Sequence, residues 1–199
     1  MTLRKCKRTA GTRKDRSMTE EGLVGYNGWL HGDRKALERT VAVYNTKLIY
    51  YIGSTLCAYG EAEDIASEVF LRLLIKKPRF DREEQLCAWL YKTARNCLLD
   101  QLRKKSRELP EEALPESGGD AEVLDAILED ERRAALHRAL GKLSGIHREV
   151  LTLIYFGGLS YGQTATVLKK SEAQIKSLAF RARNSLKDEL ERMGYGNEN

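Results

Sequence analysis

The chain has 199 residues, with 34 Lys+Arg against 29 Asp+Glu for a net charge of +5, and only three Pro, three His and four Cys. At 42% apolar and 8% aromatic residues it has the balance of one helical domain or two small ones. A β-sandwich, a wholly disordered chain and most multidomain enzymes are excluded. The sequence has no 18-residue apolar run and no apolar stretch behind its basic N-terminus, and Cys6, Cys57, Cys87 and Cys97 form no C-x-x-C pair; we therefore expect no membrane span, no secretory leader, reduced thiols, no metal or cofactor, and a cytoplasmic protein.

The charge is unevenly placed: +6 over residues 1–17, +3 over 18–107, −10 over 108–131 and +6 over 132–199. Residues 1–17 are polar and basic and read as a disordered tail, with a start at Met18 as the alternative. Helical spacing of Leu37, Val41, Tyr44, Leu48, Tyr51, Ile52 and Leu56 predicts a helix from Asp33 to about Ala58. A second helix runs from about Glu61 to Lys77 and stops at Pro78, with a core stripe of Ala62, Ile65, Ala66, Val69 and Leu73. Its other side carries Asp64, Glu68, Leu71, Arg72 and Ile75, either a docking face for a partner helix or a face packed on a neighbour.

A loop containing Phe80 precedes a long helix predicted over 83–107. One side of that helix gathers Leu90, Tyr91, Ala94, Cys97, Leu98 and Leu102; the other gathers Trp89, Lys92, Asn96, Arg103 and Arg107. An aromatic ring among cations suits unpaired bases, with a π-face for stacking and charge for phosphates, although a lone Trp is also often just covered by its neighbours. Residues 108–131 hold ten acids and no base, opening with Pro110, Pro115 and Gly118-Gly119, and read as a linker that closes in a helix start near Asp120.

A helix from roughly Ser144 to Phe156 ends at Gly157-Gly158. Two S-x-x-Q capping boxes, Ser160–Gln163 and Ser171–Gln174, then mark helices over about 161–168 and 172–192. The short turn, Ala165 at a helix crossing and Ile175 as an aliphatic plug give a helix-turn-helix, with Lys169 standing where a left-handed turn prefers Gly. Ala173, Gln174, Ser177, Arg181 and Asn184 face outward as candidate readers of base edges, with Lys176 and Arg183 flanking them for phosphates. A plain three-helix bundle with a solvated face is the alternative.

Taken together, these segments resemble a bacterial RNA polymerase sigma factor of the small extracytoplasmic-function type. Residues 61–74 (EAEDIASEVFLRLL) resemble its acidic clamp-binding helix, 88–100 (AWLYKTARNCLLD) its helix that reads and melts the −10 element, and 143–186 its −35-binding region. The resemblance implies an all-α fold of two small helical domains joined by the acidic linker, one over 18–107 and a helix-turn-helix domain over 132–199. It also implies core-polymerase contacts from Asp64, Glu68, Leu71 and Arg72, and −10 binding and melting by Phe80, Trp89, Lys92, Asn96 and Arg103. The −35 contacts would come from Ala173, Gln174, Lys176, Ser177, Arg181 and Arg183. The implied partners are the β and β′ subunits of core polymerase, promoter DNA and an anti-sigma factor, with no membrane, cofactor or small-molecule substrate. Leu178 departs from the Arg the family often places there, which removes one DNA-backbone contact.

Two other functions compete. A stand-alone helix-turn-helix regulator explains residues 134–192 but leaves the acidic helix idle. An enzyme on nucleic acid lacks a metal cluster, a phosphate loop and a nucleophile–base pair in the sequence.

Overall fold

The computed structural model describes residues 14–56, 61–108 and 131–195. The tail over 1–13, Cys57 and nearly all of the acidic strip, including the helix start near Asp120, lie outside the described residues. What is described is helical: α1 Lys14–Leu30, α2 Ala36–Leu56, α3 Ala62–Lys76, α4 Glu83–Glu108, α5 Glu131–Lys142, α6 Gly145–Leu151, α7 Tyr161–Leu168 and α8 Glu172–Arg192. A π-helical turn, Thr152–Phe156, extends α6.

The periodic stripes become core. Tyr44, Leu48, Tyr51 and Ile52 of α2, and Ala62, Ile65, Ala66, Val69 and Leu73 of α3, are buried. They meet Leu86, Leu90, Tyr91, Ala94 and Leu98 of α4. Leu102 departs from the expected apolar side of α4 and is 40% exposed.

α1 corrects the expectation of a tail through residue 17: the helix starts at Lys14 and crosses Met18. Its apolar stripe is short, Leu23, Tyr26 and Leu30, so close tertiary packing has to supply much of its stability. Gly22, Gly25 and Gly28 provide that packing on α2. A Cβ on Gly25 would stand 2.6 Å from the Ala36 carbonyl oxygen, and one on Gly28 2.7 Å from the Ala36 Cβ. The close approach is bonded as well. The buried Thr40 hydroxyl donates to the Gly22 carbonyl at 2.8 Å, and the Leu23 N–H donates to the Glu83 carboxylate at 2.6 Å. Glu83 also accepts from the buried Tyr44 hydroxyl, and its own burial raises its pKa.

The N-terminal helices α1–α4 and the C-terminal helices α5–α8 form two modules that pack against each other, which the sequence reading did not anticipate. The larger core cluster runs from Tyr26 of α1 to Ala179 of α8. The seam between the modules combines that apolar cluster with buried polar bonds. The Glu149 carboxylate on α6 accepts from the Tyr51 hydroxyl and from Arg95 Nε, both at 2.9 Å, so one oxygen ties together α2, α4 and α6. Its neighbour Arg148 is 5% exposed. It donates to the Leu140, Gly141 and Leu143 carbonyls at the end of α5, and across the seam to the Ser54 carbonyl at 3.1 Å. Those carbonyls are among the acceptors a helix end leaves unsatisfied, and a guanidinium has enough donors to serve several at once.

The π-helical turn places Phe156 in a stacked contact with Tyr50 of α2, with centroids 4.4 Å apart. Gly157 follows, and a Cβ there would stand 3.0 Å from the Tyr91 ring and 2.6 Å from the Leu153 carbonyl oxygen. The seam closes against α4 at this point because Gly157 has no side chain. The Tyr91 hydroxyl is buried there with no hydrogen-bond partner among the described residues.

Candidate nucleic-acid interface

Three surfaces carry the candidate residues. On α3, Leu71 and Ile75 are 50% and 70% exposed, which removes the alternative that they pack on a neighbouring described helix. Beside them Asp64 is exposed, and Arg72 Nε pairs with Glu68 at 2.7 Å, one helical turn apart. That ion pair is half-exposed and contributes little to stability. It does hold the Arg72 guanidinium over a polar groove between α3 and α4, whose walls include Glu61, Asp64, Asp100 and Lys104. Apolar side chains beside a fixed charge pattern are the composition of a protein-docking face.

The second surface lies at the start of α4. Phe80 in the loop and Trp89 in the second turn of α4 meet edge to face with centroids 6.2 Å apart. Both are half-buried, so Trp89 buttresses the surface as well as being part of it. Lys92, Asn96 and Arg103 are exposed along the same side of α4, with Arg103 donating to Asp100 at 3.2 Å. Two residues the sequence reading passed over extend the aromatic row. Tyr26 of α1 lies 5.7 Å from Phe80, and Trp29 stacks on Tyr26 at 5.9 Å. The local pattern of α1 does not show which loop these rings meet, because Phe80 and Lys77 lie about fifty residues downstream.

The third surface is the helix-turn-helix. Both capping boxes form: the Ser160 and Ser171 hydroxyls accept from the Gln163 and Gln174 backbone N–H groups at 3.2 Å, and each glutamine side chain accepts in return from its serine N–H. Each removes two of the unpaired donors of a helix start. Lys169 takes the left-handed conformation the turn demands, at φ 54° and ψ 47°. Ala165 and Ile175 are buried at the helix crossing.

Ala173, Ser177 and Arg181 are exposed on α8, as expected. Gln174 is exposed too, but its amide oxygen is committed to the cap. Lys176 pairs with Glu172 at 2.8 Å, and Arg183 donates to the Tyr155 and Tyr161 hydroxyls at 3.2 and 3.4 Å. Phe180 is a reader candidate that was missed, at 58% exposure. It follows Ser177 by three positions and Ala173 by seven, so helical spacing alone places it on the same stripe. An exposed phenyl ring there can meet a thymine methyl in the major groove.

Comparison with known proteins follows the same division. Residues 42–108 match the family described as Sigma-70 region 2, and residues 133–186 match Sigma-70, region 4. The chain is 33% identical over 127 residues to the ECF RNA polymerase sigma factor SigM of Bacillus subtilis, covering 63% of this chain and 77% of that protein. It is 29% identical over 173 residues to the RNA polymerase sigma-H factor of Pseudomonas aeruginosa, covering 80% and 89%. Among solved structures it is similar to the sigma factor RpoE from Bartonella quintana, in complex with the anti-sigma factor NepR. That similarity has a TM-score of 0.62 and 25% identity, over 79% of this chain and 98% of that one.

Proposed function

The chain belongs to the sigma-70 family, in its extracytoplasmic-function branch, and from that premise we propose how its surfaces divide the work of a promoter-specificity subunit. The protein binds core RNA polymerase and directs promoter recognition, DNA melting and transcription initiation. Residues 18–107 serve as the polymerase-binding and −10 module and residues 132–199 as the −35 module, with the acidic strip between them. Asp64, Glu68, Leu71 and Arg72 dock on the polymerase, where the exposed leucine supplies apolar burial and the fixed charges set register. Phe80 offers a face for an extruded −10 base, Trp89 backs it, and Lys92, Asn96 and Arg103 contact the melted strand. Ala173, Gln174, Ser177 and Arg181 face the −35 major groove, with Lys176 and Arg183 on phosphates. The chain supplies no catalytic group in this reading; phosphodiester chemistry belongs to the polymerase, and the work is done in the cytoplasm.

The observation that carries this reading is that the two matched regions fall on separate modules, each with exposed basic residues, while α3 exposes Leu71 and Ile75 beside the Glu68–Arg72 pair, a composition suited to a protein partner. A stand-alone regulator would leave that α3 face without a partner. The closed seam adds a requirement. The −10 and −35 elements lie about 25 base pairs, or roughly 85 Å, apart on B-DNA. A compact body of this length has a radius of gyration of only ~16 Å. Gripping both elements at once therefore needs the modules to part along the seam, which exposes part of the shared apolar cluster and has to be offset by binding to polymerase and DNA.

The test is run-off transcription with purified core polymerase and promoters from the regulon of this protein. Transcripts that depend on the chain support the reading; no transcript from any such promoter sinks it.

A further inference from the structure

The loop that carries Phe80 is anchored from a helix outside the two segments it joins. It leaves α3 through Lys77, which caps the helix in a left-handed conformation at φ 45° and donates its N–H to the Leu73 carbonyl at 3.0 Å. It enters α4 through two local bonds, the Asp81 N–H to the Gln85 side-chain oxygen at 2.8 Å and the Gln85 N–H to the Arg82 carbonyl at 3.0 Å. Neither of these bonds reaches the Pro78 carbonyl, although Trp89 of α4 meets the Phe80 ring edge to face at 6.2 Å. Tyr26 of α1 reaches both. Its hydroxyl donates to the Pro78 carbonyl at 2.7 Å across 52 residues, and its fully buried ring lies 5.7 Å from Phe80, tilted by 49°. Trp29 stacks on Tyr26, and the Lys77 ammonium sits 5.4 Å above the Trp29 ring, which closes the circuit back to the loop. The glycines of α1 let that helix lie close enough to α2 to aim Tyr26 at the loop.

We propose that Tyr26 is a positioning residue for −10 base capture: α1 holds the Pro78–Arg82 loop, and through it the Phe80 ring, in the geometry that receives an extruded base. The proposal rests on the reading of Phe80 as that ring. Its physical basis is preorganisation. A ring that swings with a free loop must be immobilised each time a base is captured, and that ordering is subtracted from the stacking gained. A ring already fixed by a neighbour retains the full gain, and it also discriminates more sharply, since a mismatched base meets a pocket that does not adjust. The Tyr26 hydroxyl is the part of this device that can be removed alone, because phenylalanine keeps the ring, its burial and its contacts with Phe80 and Trp29.

The experiment compares wild type, Y26F, F80A and Y26F/F80A as holoenzymes on a promoter carrying 2-aminopurine at the captured −10 position. It reads the rate of the fluorescence rise on opening, the ratio of opening rates between the native −10 base and a substituted one, and the affinity for core polymerase. The loss of one hydrogen bond predicts that Y26F opens about three- to tenfold more slowly and loses base discrimination by a similar factor, with core affinity unchanged. In the F80A background the Tyr26 effect should vanish, because the two residues act as one unit. Wild-type opening and discrimination in Y26F would overturn the proposal. So would an undiminished Y26F effect in the F80A background, or a Y26F protein that is only less stable and discriminates as well as wild type. A wild-type holoenzyme that fails to open any promoter is a different result: it sinks the reading of the protein as a sigma factor, and this proposal with it.

Discussion

The reading face proposed for α8 belongs to one helix. Ala173, Ser177, Phe180 and Arg181 are presented by helical spacing alone, and what sets the start of that helix is a capping box four residues long. The aromatic row beside α4 is built the other way. Its four rings come from α1, a loop and α4, and Tyr26, Phe80 and Trp89 hold their places only because those segments pack. Duplex DNA presents its base edges already ordered in a groove, so a single exposed helix suffices to read them. An extruded base brings no scaffold, so the protein has to supply a rigid one. The first surface should therefore tolerate changes elsewhere in the molecule, and the second should not.

The largest effect should come from Glu149, whose carboxylate ties α2, α4 and α6. Glu149→Ala leaves Arg95 and the Tyr51 hydroxyl without their acceptor in a mostly buried seam and should cost about 3 kcal/mol in urea unfolding. Small-angle scattering should show a larger radius of gyration, while holoenzyme affinity for a −35 duplex stays within about twofold. A large loss of −35 affinity would mean that the α8 face depends on the seam and would break the contrast.

Next comes Phe80→Ala, which removes a stacking face and with it the contact that joins Tyr26 to Trp89. Promoter opening followed by 2-aminopurine fluorescence should fall by about 2 kcal/mol, or some thirtyfold, with unchanged affinity for core polymerase.

Arg181→Ala tests the other side of the comparison. Its exposed side chain should cost about 1.5 kcal/mol of −35 affinity, roughly tenfold by titration, with thermal stability moved by less than about 0.5 kcal/mol. An equal loss of stability would show that this helix face is held by tertiary contacts after all.

The smallest effect is expected from Ser171→Ala. Loss of the cap should cost about 1 kcal/mol, read as a fall in Tm, with −10 opening unaffected.

These two construction routes also decide what could be read in advance. The starts of both helices of the helix-turn-helix follow from Ser160–Gln163 and Ser171–Gln174, because a capping box is closed by residues three apart. The α3 stripe, from Ala62 to Leu73, was legible for the same reason, and Phe180 was legible but passed over among its polar neighbours. Tyr26 and the seam were not legible. Arg148 and Glu149 look in sequence like two more charges on a helix surface, and α1 has only the short stripe Leu23, Tyr26 and Leu30, interrupted by glycines at 22, 25 and 28.

The sequence by itself determined the helical class of the described residues, the start of the helix proposed to read DNA, and the family to which both matched regions belong. These depend on hydrophobic period and on bonds that close within one helical turn. Only the tertiary structure decided that Glu149 would find Tyr51 and Arg95, that the modules would close over Tyr91, and that α1 would hold the Phe80 loop. The physical reason is sequence separation. The Tyr51 and Glu149 side chains lie 98 residues apart, and the partner of a buried carboxylate is chosen by which surfaces the core brings together.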